Sequence, residues 1–435
     1  MPWRRPGGRA LRRIGTHRRS RLEQRVRNTV NAAPGTGIRV ALFTGAYNHI
    51  ADGVSLTLNR LVAYLDRCGV QVRVFAPTVS DPPIEHAGRL VPVPSIALPG
   101  RKEYRMAFGL SRRARRELEA FDPNIIHIAT PDFLGRAALR YAKRNGIDAV
   151  SSYHTHFSSY LKYYRLQFLT DRLWRYLQWF YGACEQVYVP SPSIADVLRS
   201  HGIARGLLYW PRGVDTDQFH PRHRSLEWRR SLGIDDDEVV VGFVSRLVWE
   251  KGLDVVEEVA RRLRSCACGH RILIVGDGPA RAELEKRVPE AVFTGYLGGT
   301  ELATAYASTD VFLFPSATET FGNVTLEAMA SGVPAVCADA TGSNALVEPG
   351  ETGFLAPPND VVTFESYVRR LIEDADLRRQ MSLASRERAK EYAWDAVLER
   401  MYRYYRMLAV PEDSSAVVGA VPPLRSRPLG PAVAG

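Results

Sequence analysis

Short apolar runs at 38–43, 70–76, 125–128, 149–153 and 186–190 alternate with longer stretches at 54–68, 110–121 and 133–144, whose apolar residues recur every three or four positions. The short runs read as buried strands and the longer ones as amphipathic helices. An aromatic-rich helical stretch over 160–183 leads into the last of these strands. Such alternation predicts a parallel, doubly wound sheet, because parallel neighbours need a crossover and a helix usually provides it. A second series follows Pro211-Arg-Gly-Val-Asp-Thr-Asp-Gln-Phe-His-Pro221, with strands expected at 239–244, 271–275, 291–293, 311–315 and 334–337. The pattern predicts an α/β chain of two Rossmann-like domains, 38–210 and 211–389, with their strand ends around one cleft. A last helix, 390–410, is expected to cross back to the first domain.

Composition sets limits on this picture. The chain has 435 residues, 45% of them apolar, enough for two cores. Its net charge of +11 is concentrated in residues 1–37, where ten arginines face the single acid Glu23. The body is close to neutral, which disfavours nucleic acid as a partner of the folded part. Residues 1–37 read as a disordered basic tail: an arm for anionic lipid or nucleic acid, or a non-native extension. Residues 411–435 read as a second tail. Five scattered cysteines make no disulfide framework, and Cys266-Ala-Cys268 lacks the spacing of a zinc site. No stretch of about 18 apolar residues exists to span a bilayer. The arginine pairs near the start precede no apolar export segment, so the expected location is the cytoplasm.

The chemistry concentrates late in the chain. Glu319-Thr-Phe-Gly-Asn-Val-Thr-Leu-Glu327 follows the apolar run 311–315 and opens a helix that Ser331-Gly-Val-Pro334 stops. Glu319 then lies in a strand-to-helix loop at the carboxyl edge of the sheet, where open α/β sheets bind ligands. Gly322 lets the backbone approach a ligand closely. The amides of Gly322, Asn323, Val324 and Thr325 are helix-start donors suited to a diphosphate. Upstream, Ser245-Arg-Leu-Val-Trp-Glu-Lys-Gly-Leu-Asp254 carries Arg246 and Lys251, two cations able to clamp a diphosphate as it departs.

Other motifs are weaker. Gly276-Asp-Gly-Pro279 is an incomplete dinucleotide loop and is expected to shape a turn beside the nucleotide base. Gly53, at the first helix start, is placed to bring amides near a phosphate. In Tyr153-His-Thr-His156, His154 is the candidate for the reacting region and His156 for its support. Asp215-Thr-Asp217 is formally a DxD metal motif, but it lies in the linker and the Arg246/Lys251 clamp already supplies positive charge. Arg112, Arg113, Arg115 and Arg116 occupy one arc of a helix with Leu110, Ala114, Leu118 and Phe121 opposite, a basic amphipathic face suited to anionic headgroups.

Together these residues resemble the family 4 retaining glycosyltransferases of the GT-B fold over about 38–408, in particular GDP-mannose-dependent α-mannosyltransferases and sulfoquinovosyl transferases. The motifs that carry the resemblance occur in order: Arg212-Gly-Val-Asp215, Ser245-Arg-Leu with Lys251-Gly252, Glu319 with Glu327, and Gly332-Val-Pro334 followed by Glu348, Gly350 and Gly353. Tyr153-His-Thr-His156 and Glu103-Tyr-Arg105 add to it. The resemblance implies that Glu319 and the amides of Phe321 and Gly322 hold the donor sugar and that Glu327 holds the ribose. Arg246 and Lys251 would hold the pyrophosphate with Gly53, Asn323 and Val324, and His154 would lie near the sugar. Several GDP-mannose users have an acid after the strand at 291–295 where this chain has Gly295-Tyr-Leu-Gly298, so Tyr296 and Leu297 are assigned to reading uracil as an alternative to guanine.

The sequence thus predicts a metal-independent hexosyltransferase without a cofactor. Its expected donor is a GDP- or UDP-hexose, mannose being one candidate, and its acceptor a lipid or glycan. It is expected in the cytoplasm, peripheral on the inner face of the plasma membrane. The alternatives are a nucleotide-sugar epimerase on the same fold and a basic nucleic-acid-binding protein.

Overall fold

A computed structural model describes residues 37–50, 52–98, 101–153, 170–265, 269–319, 321–340 and 342–409. The two tails, His154, His156, the first part of the aromatic stretch and the Cys266/Cys268 pair lie outside the described residues. The described cysteines Cys68, Cys184 and Cys337 are free thiols. Contacts divide the chain into two units: Met1–Val189, Leu198–Leu208 and Leu398–Gly435 form the first, and Pro190–Val197 with Tyr209–Val397 the second.

The first unit is built on strands β1 (Arg39–Phe43), β2 (Gln71–Ala76), β3 (Arg89–Pro92), β4 (Ser95–Leu98), β5 (Arg101–Ala107), β6 (Ile125–Ile128), β7 (Asp148–Ser152), β8 (Gln186–Val189) and β9 (Leu207–Tyr209). Seven of them form one sheet in the order β3-β2-β1-β6-β7-β8-β9, whose registered pairs are parallel. β4 and β5 pair separately as an antiparallel ribbon. That ribbon and β3 escape the periodicity because they form no fully buried apolar run: most of their described side chains are exposed or half-buried. Helices α1 (Gly53–Arg67), α2 (Arg112–Phe121), α3 (Phe133–Asn145) and α4 (Thr170–Tyr181) accompany the sheet, while α5 (Pro192–Ser200) is divided between the units, its residues through Val197 belonging to the second. The first three start on side-chain caps, Asp52, Ser111 and Asp132, which accept hydrogen bonds from first-turn amides.

The second unit contains the short helix α6 (Leu226–Ser231). Its strands are β10 (Val239–Val244), β11 (His270–Val275), β12 (Val292–Gly295), β13 (Val311–Phe314), β14 (Ala335–Ala338) and β15 (Gly353–Ala356), in the order β12-β11-β10-β13-β14-β15 with every pair parallel. The connecting helices are α7 (Leu253–Leu263), α8 (Arg281–Arg287), α9 (Gly299–Ala307) and α10 (Asn323–Ala330), followed by α11 (Val361–Glu373), α12 (Ala375–Lys390) and α13 (Trp394–Ala409). β10, β13 and β14 are buried along their whole length, as strands covered on both faces must be. In both sheets the strand order reverses beside the first strand of the unit, between β1 and β6 and between β10 and β13. That reversal opens a crevice at the strands' carboxyl ends.

The last helix starts at Trp394, four residues later than the sequence suggests. The Tyr392 carbonyl accepts from the Val214 amide and Ala393 bridges Val214, which takes the backbone out of the helix. From Leu398 onward the helix belongs to the first unit. There Tyr405 Oη lies 2.6 Å from Nδ1 of His127, a fully buried β6 side chain whose Nε2 is 3.0 Å from Ser152 Oγ. Burial lowers the His127 imidazole to about 3, so it is neutral. Tyr405→Phe leaves Nδ1 without its hydroxyl partner. We expect the urea transition of the first unit to lose about 1–3 kcal/mol, with the second unit's transition unmoved.

Candidate functional site

The β10–α7 and β13–α10 loops flank the switch point of the second sheet, and they carry most of the residues that the sequence singled out. After β10 the chain leaves the sheet at Ser245 and passes the exposed Arg246. It then makes a single 3-10 turn over Trp249–Lys251. Gly252 follows with φ +77, and a Cβ there would lie 2.9 Å from Pro315 Cγ and 3.1 Å from the Pro315 carbonyl oxygen. The glycine therefore lets the turn rest on the end of β13. That approach brings Lys251 Nζ onto Glu319 Oε1 in a half-buried ion pair. Arg246 has no ion pair among the described residues and presents its charge to solvent.

Gly276-Asp-Gly-Pro279 shapes a turn, as the sequence suggested, and the turn packs on the neighbouring β10 loop. A Cβ at Gly276, where φ is +135, would fall 1.9 Å from the Ser245 carbonyl oxygen. The Leu247 amide donates to the Asp277 carbonyl, and the Ala280 amide to the Leu247 carbonyl. The loop is a backbone brace that fixes the turn on which Arg246 sits.

Gly322 closes the second loop at φ +88 and starts α10, which has no side-chain cap. Its first-turn amides, with those of Asn323 and Val324, are held by no side-chain acceptor, and the macrodipole favours an anion there. Phe321 is buried against Tyr392, with ring centroids 6.0 Å apart, and anchors the loop. Sequence reasoning missed the opposite wall. A Cβ on Gly342 would come within 2.9 Å of both Glu319 Cβ and the Glu319 carbonyl oxygen, and Ser343 Oγ lies 3.3 Å from Thr325 Oγ1. The signal was present in Gly342-Ser343 just past β14, but nothing local in the sequence says that Gly342 backs Glu319.

Glu327 lies on α10, where its Oε2 accepts a 2.9 Å hydrogen bond from the buried Tyr306 Oη. Desolvation pushes its carboxyl up from 4.5 to about 7, and the Tyr306 bond only partly opposes that. Beside the other loops, Tyr296 is 81% exposed past β12 and Leu297 is half-buried.

In the first unit, Gly53 opens α1, but the Asp52 carboxylate already accepts from the Val54 and Ser55 amides at 3.0 and 2.8 Å. A fixed negative charge thus sits at that helix start. Asp215 caps its own turn, accepting from the Asp217 and Gln218 amides, while Asp217 lies 3.8 Å from Arg222. The formal DxD is engaged in shaping the linker. Among the described residues no group of three or more His, Cys, Asp and Glu side chains is arranged to hold a metal ion.

Two doubly wound sheets, with a cation–carboxylate pair and an uncapped helix start at the second switch point, define a glycosyltransferase of the GT-B class. Solved structures of that class share the fold: sucrose-phosphate synthase from Thermosynechococcus elongatus superposes with a TM-score of 0.67 at 22% identity, covering 85% of this chain and 99% of that one. Residues 51–218 match Glycosyltransferase Family 4 and residues 225–388 match Glycosyl transferases group 1. Sulfoquinovosyl transferase SQD2 of Arabidopsis thaliana is 34% identical over 373 residues, 83% of this chain and 72% of that protein. A GDP-mannose-dependent alpha-mannosyltransferase of Corynebacterium glutamicum is 33% identical over 375 residues, 85% of this chain and 88% of that protein. The chain belongs to glycosyltransferase family 4.

Glu327 provides a test of the site's electrostatics. Between its unfolded value and its folded value the native state binds more protons than the unfolded chain, so stability falls as pH rises through that window. Glu327→Gln, a neutral isostere, removes the effect. Between about pH 5 and about pH 8 the parent should lose on the order of 2 kcal/mol relative to the variant, read from urea unfolding of the second unit. Parallel pH profiles would place the charged form at no cost and remove the burial argument.

Proposed function

We propose that this glycosyltransferase moves a hexose from a GDP- or UDP-sugar to a lipid or glycan acceptor with retention of configuration and without a metal ion. The observation that carries the reading is the Lys251–Glu319 pair at the β10/β13 switch point, one residue on each side of the crevice. A diphosphate entering there meets Lys251, Arg246 and the uncapped amides of α10. Competition for Lys251 then frees the Glu319 carboxylate to accept from hydroxyls of the donor hexose, with the Phe321 and Gly322 amides beside it. Glu327 accepts from ribose hydroxyls, and Tyr296 and Leu297 flank the base.

The reaction needs negative charge stabilised on the departing phosphate, and the two cations and the helix dipole are fixed before the reaction begins. The leaving phosphate takes the acceptor hydroxyl's proton on the face it departs from, which preserves the anomeric configuration. His154 is assigned to the reacting region and Gly53 to the phosphate side. The similarity to a GDP-mannose-dependent enzyme supports a hexose donor, mannose among the candidates. The lipid acceptor, and a place at the inner face of the plasma membrane, are supported by α2, whose Arg112, Arg113, Arg115 and Arg116 are all exposed while Ala114, Leu118 and Phe121 are buried. Among the described residues no helix is long and apolar enough to cross a membrane.

Glu319→Ala should cripple transfer while nucleoside-diphosphate affinity changes little. The lost charged hydrogen bond alone amounts to about 1.5–3 kcal/mol, roughly ten- to a hundredfold in rate. Steady-state transfer from a panel of UDP- and GDP-hexoses measures it, and wild-type turnover would remove Glu319 from the sugar site.

Lys251→Ala and Arg246→Ala should act differently, each weakening nucleoside-diphosphate binding in calorimetry and slowing transfer further, because their partner's charge grows in the transition state. Transfer should persist in EDTA. If the chelator abolishes it and a divalent ion restores it, the cationic clamp is the wrong mechanism.

A further inference from the structure

Among the described residues of the first unit, three large aromatic side chains stand in solvent. Phe108 is 64% exposed, Phe133 52% and Trp179 42%. They form one surface. Phe108, just past β5, stacks on Phe133 at the start of α3 with ring centroids 6.4 Å apart. Trp179 on α4 lies under two cations of α3, with Arg136 Cζ 5.9 Å and Lys143 Nζ 5.8 Å from its ring centroid. Tyr176 Oη donates to the Pro131 carbonyl and ties α4 to the turn before α3.

The helical period explains the shared face. Phe133, Arg136, Arg140 and Lys143 succeed one another at spacings of three and four, so they form one stripe of α3, and all are exposed. Arg172, Arg175 and Trp179 make the matching stripe of α4. α3 contains no carboxylate, and Asp171 is the exposed acid of α4. None of these five cations forms an ion pair among the described residues, whereas several arginines of the second unit are bridged, as in Arg264–Glu290 and Arg287–Glu283.

We propose that the α3–α4 face docks the chain on an anionic lipid bilayer, with Phe108, Phe133 and Trp179 entering the headgroup boundary and the cations of both helices meeting lipid phosphates. Aromatic rings with an apolar body and a wet rim are stable at that depth, and long basic side chains reach phosphates from beside them. Unpaired cations also gain from a negative surface. A single-stranded nucleic acid also stacks bases on exposed rings, but outside residues 1–37 the chain is close to neutral, which disfavours a polyanion tracked along the surface and favours one local contact with a bilayer. This surface is additional to the arginine arc of α2. It rests on the lipid-acceptor reading only for its setting, and its test measures no transfer, so either can fail without the other.

The test uses the full chain with vesicles of phosphatidylcholine alone and of phosphatidylcholine mixed equally with phosphatidylglycerol, both carrying brominated acyl chains. We expect tryptophan quenching on the anionic vesicles, with most of it lost in Trp179→Phe, a substitution that keeps the ring packing. Joint Arg136→Glu, Arg140→Glu and Lys143→Glu exchange should weaken vesicle binding at least roughly a hundredfold at low salt. Serine at all four arginines of α2 should leave the Trp179 quench in place. Circular dichroism establishes that each variant is folded, and if the triple variant is not, the conservative Trp179→Phe comparison decides alone. Undiminished quenching in Trp179→Phe overturns the proposal, as does parent-like vesicle binding by a folded triple variant. So does binding of a single-stranded oligonucleotide, rather than vesicles, that the same substitutions abolish.

Discussion

The loop after β10 can reach the loop after β13 only where no Cβ stands between them. Lys251 and Glu319 are separated by almost seventy positions and lie on neighbouring strands' loops, and their pairing depends on Gly252 resting against Pro315. Gly342 does the same from the far side, admitting the backbone of Glu319 where any side chain would collide with it. The brace from Gly276 onto Ser245 holds the third edge. A charged pair is useful to catalysis only if its geometry costs nothing to assemble at the moment of reaction, and backbone-on-backbone contact provides that rigidity.

Around this frame the same low-dielectric interior has opposite effects on two ionisable groups. At Glu327 burial raises the carboxyl to about 7 and Tyr306 donates a single hydrogen bond to it. A carboxyl with one donor keeps acceptor capacity for further hydrogen bonds. At His127 both ring nitrogens have hydroxyl partners, and burial lowers the imidazole so far that it stays neutral. The first arrangement stores unused hydrogen-bonding capacity, while the second spends it on fixing the C-terminal helix to β6.

Charge distribution follows a comparable division. On the second unit many surface arginines are tied into short ion pairs with neighbouring acids, a pattern worth little individually. On the first unit the exposed cations of α3 and α4 stand beside aromatic rings instead of acids. Arginine is thus paired with acids over much of the surface, Arg39, Arg73, Arg89 and Arg115 of the first unit included, and stands beside aromatic rings on the α3–α4 face.

By itself the sequence determined the two parallel sheets and most of their strands, because buried strands and amphipathic helices have distinct periods that burial enforces locally. It also singled out Glu319, Glu327, Arg246 and Lys251, since strand-to-helix loops at the carboxyl edge are legible from the element pattern. It did not reveal the β4–β5 ribbon, whose described side chains are mostly exposed or half-buried and so form no buried apolar run. Nor did it show the start of α13 at Trp394, set by a bridge to Val214 almost two hundred positions away. Only the tertiary structure decided that Lys251 meets Glu319, that Gly342 backs it, and that the Gly276 loop braces a neighbouring turn. These are contacts between loops from different strands, and their cause is the order in which the strands assemble, which no window of sequence contains.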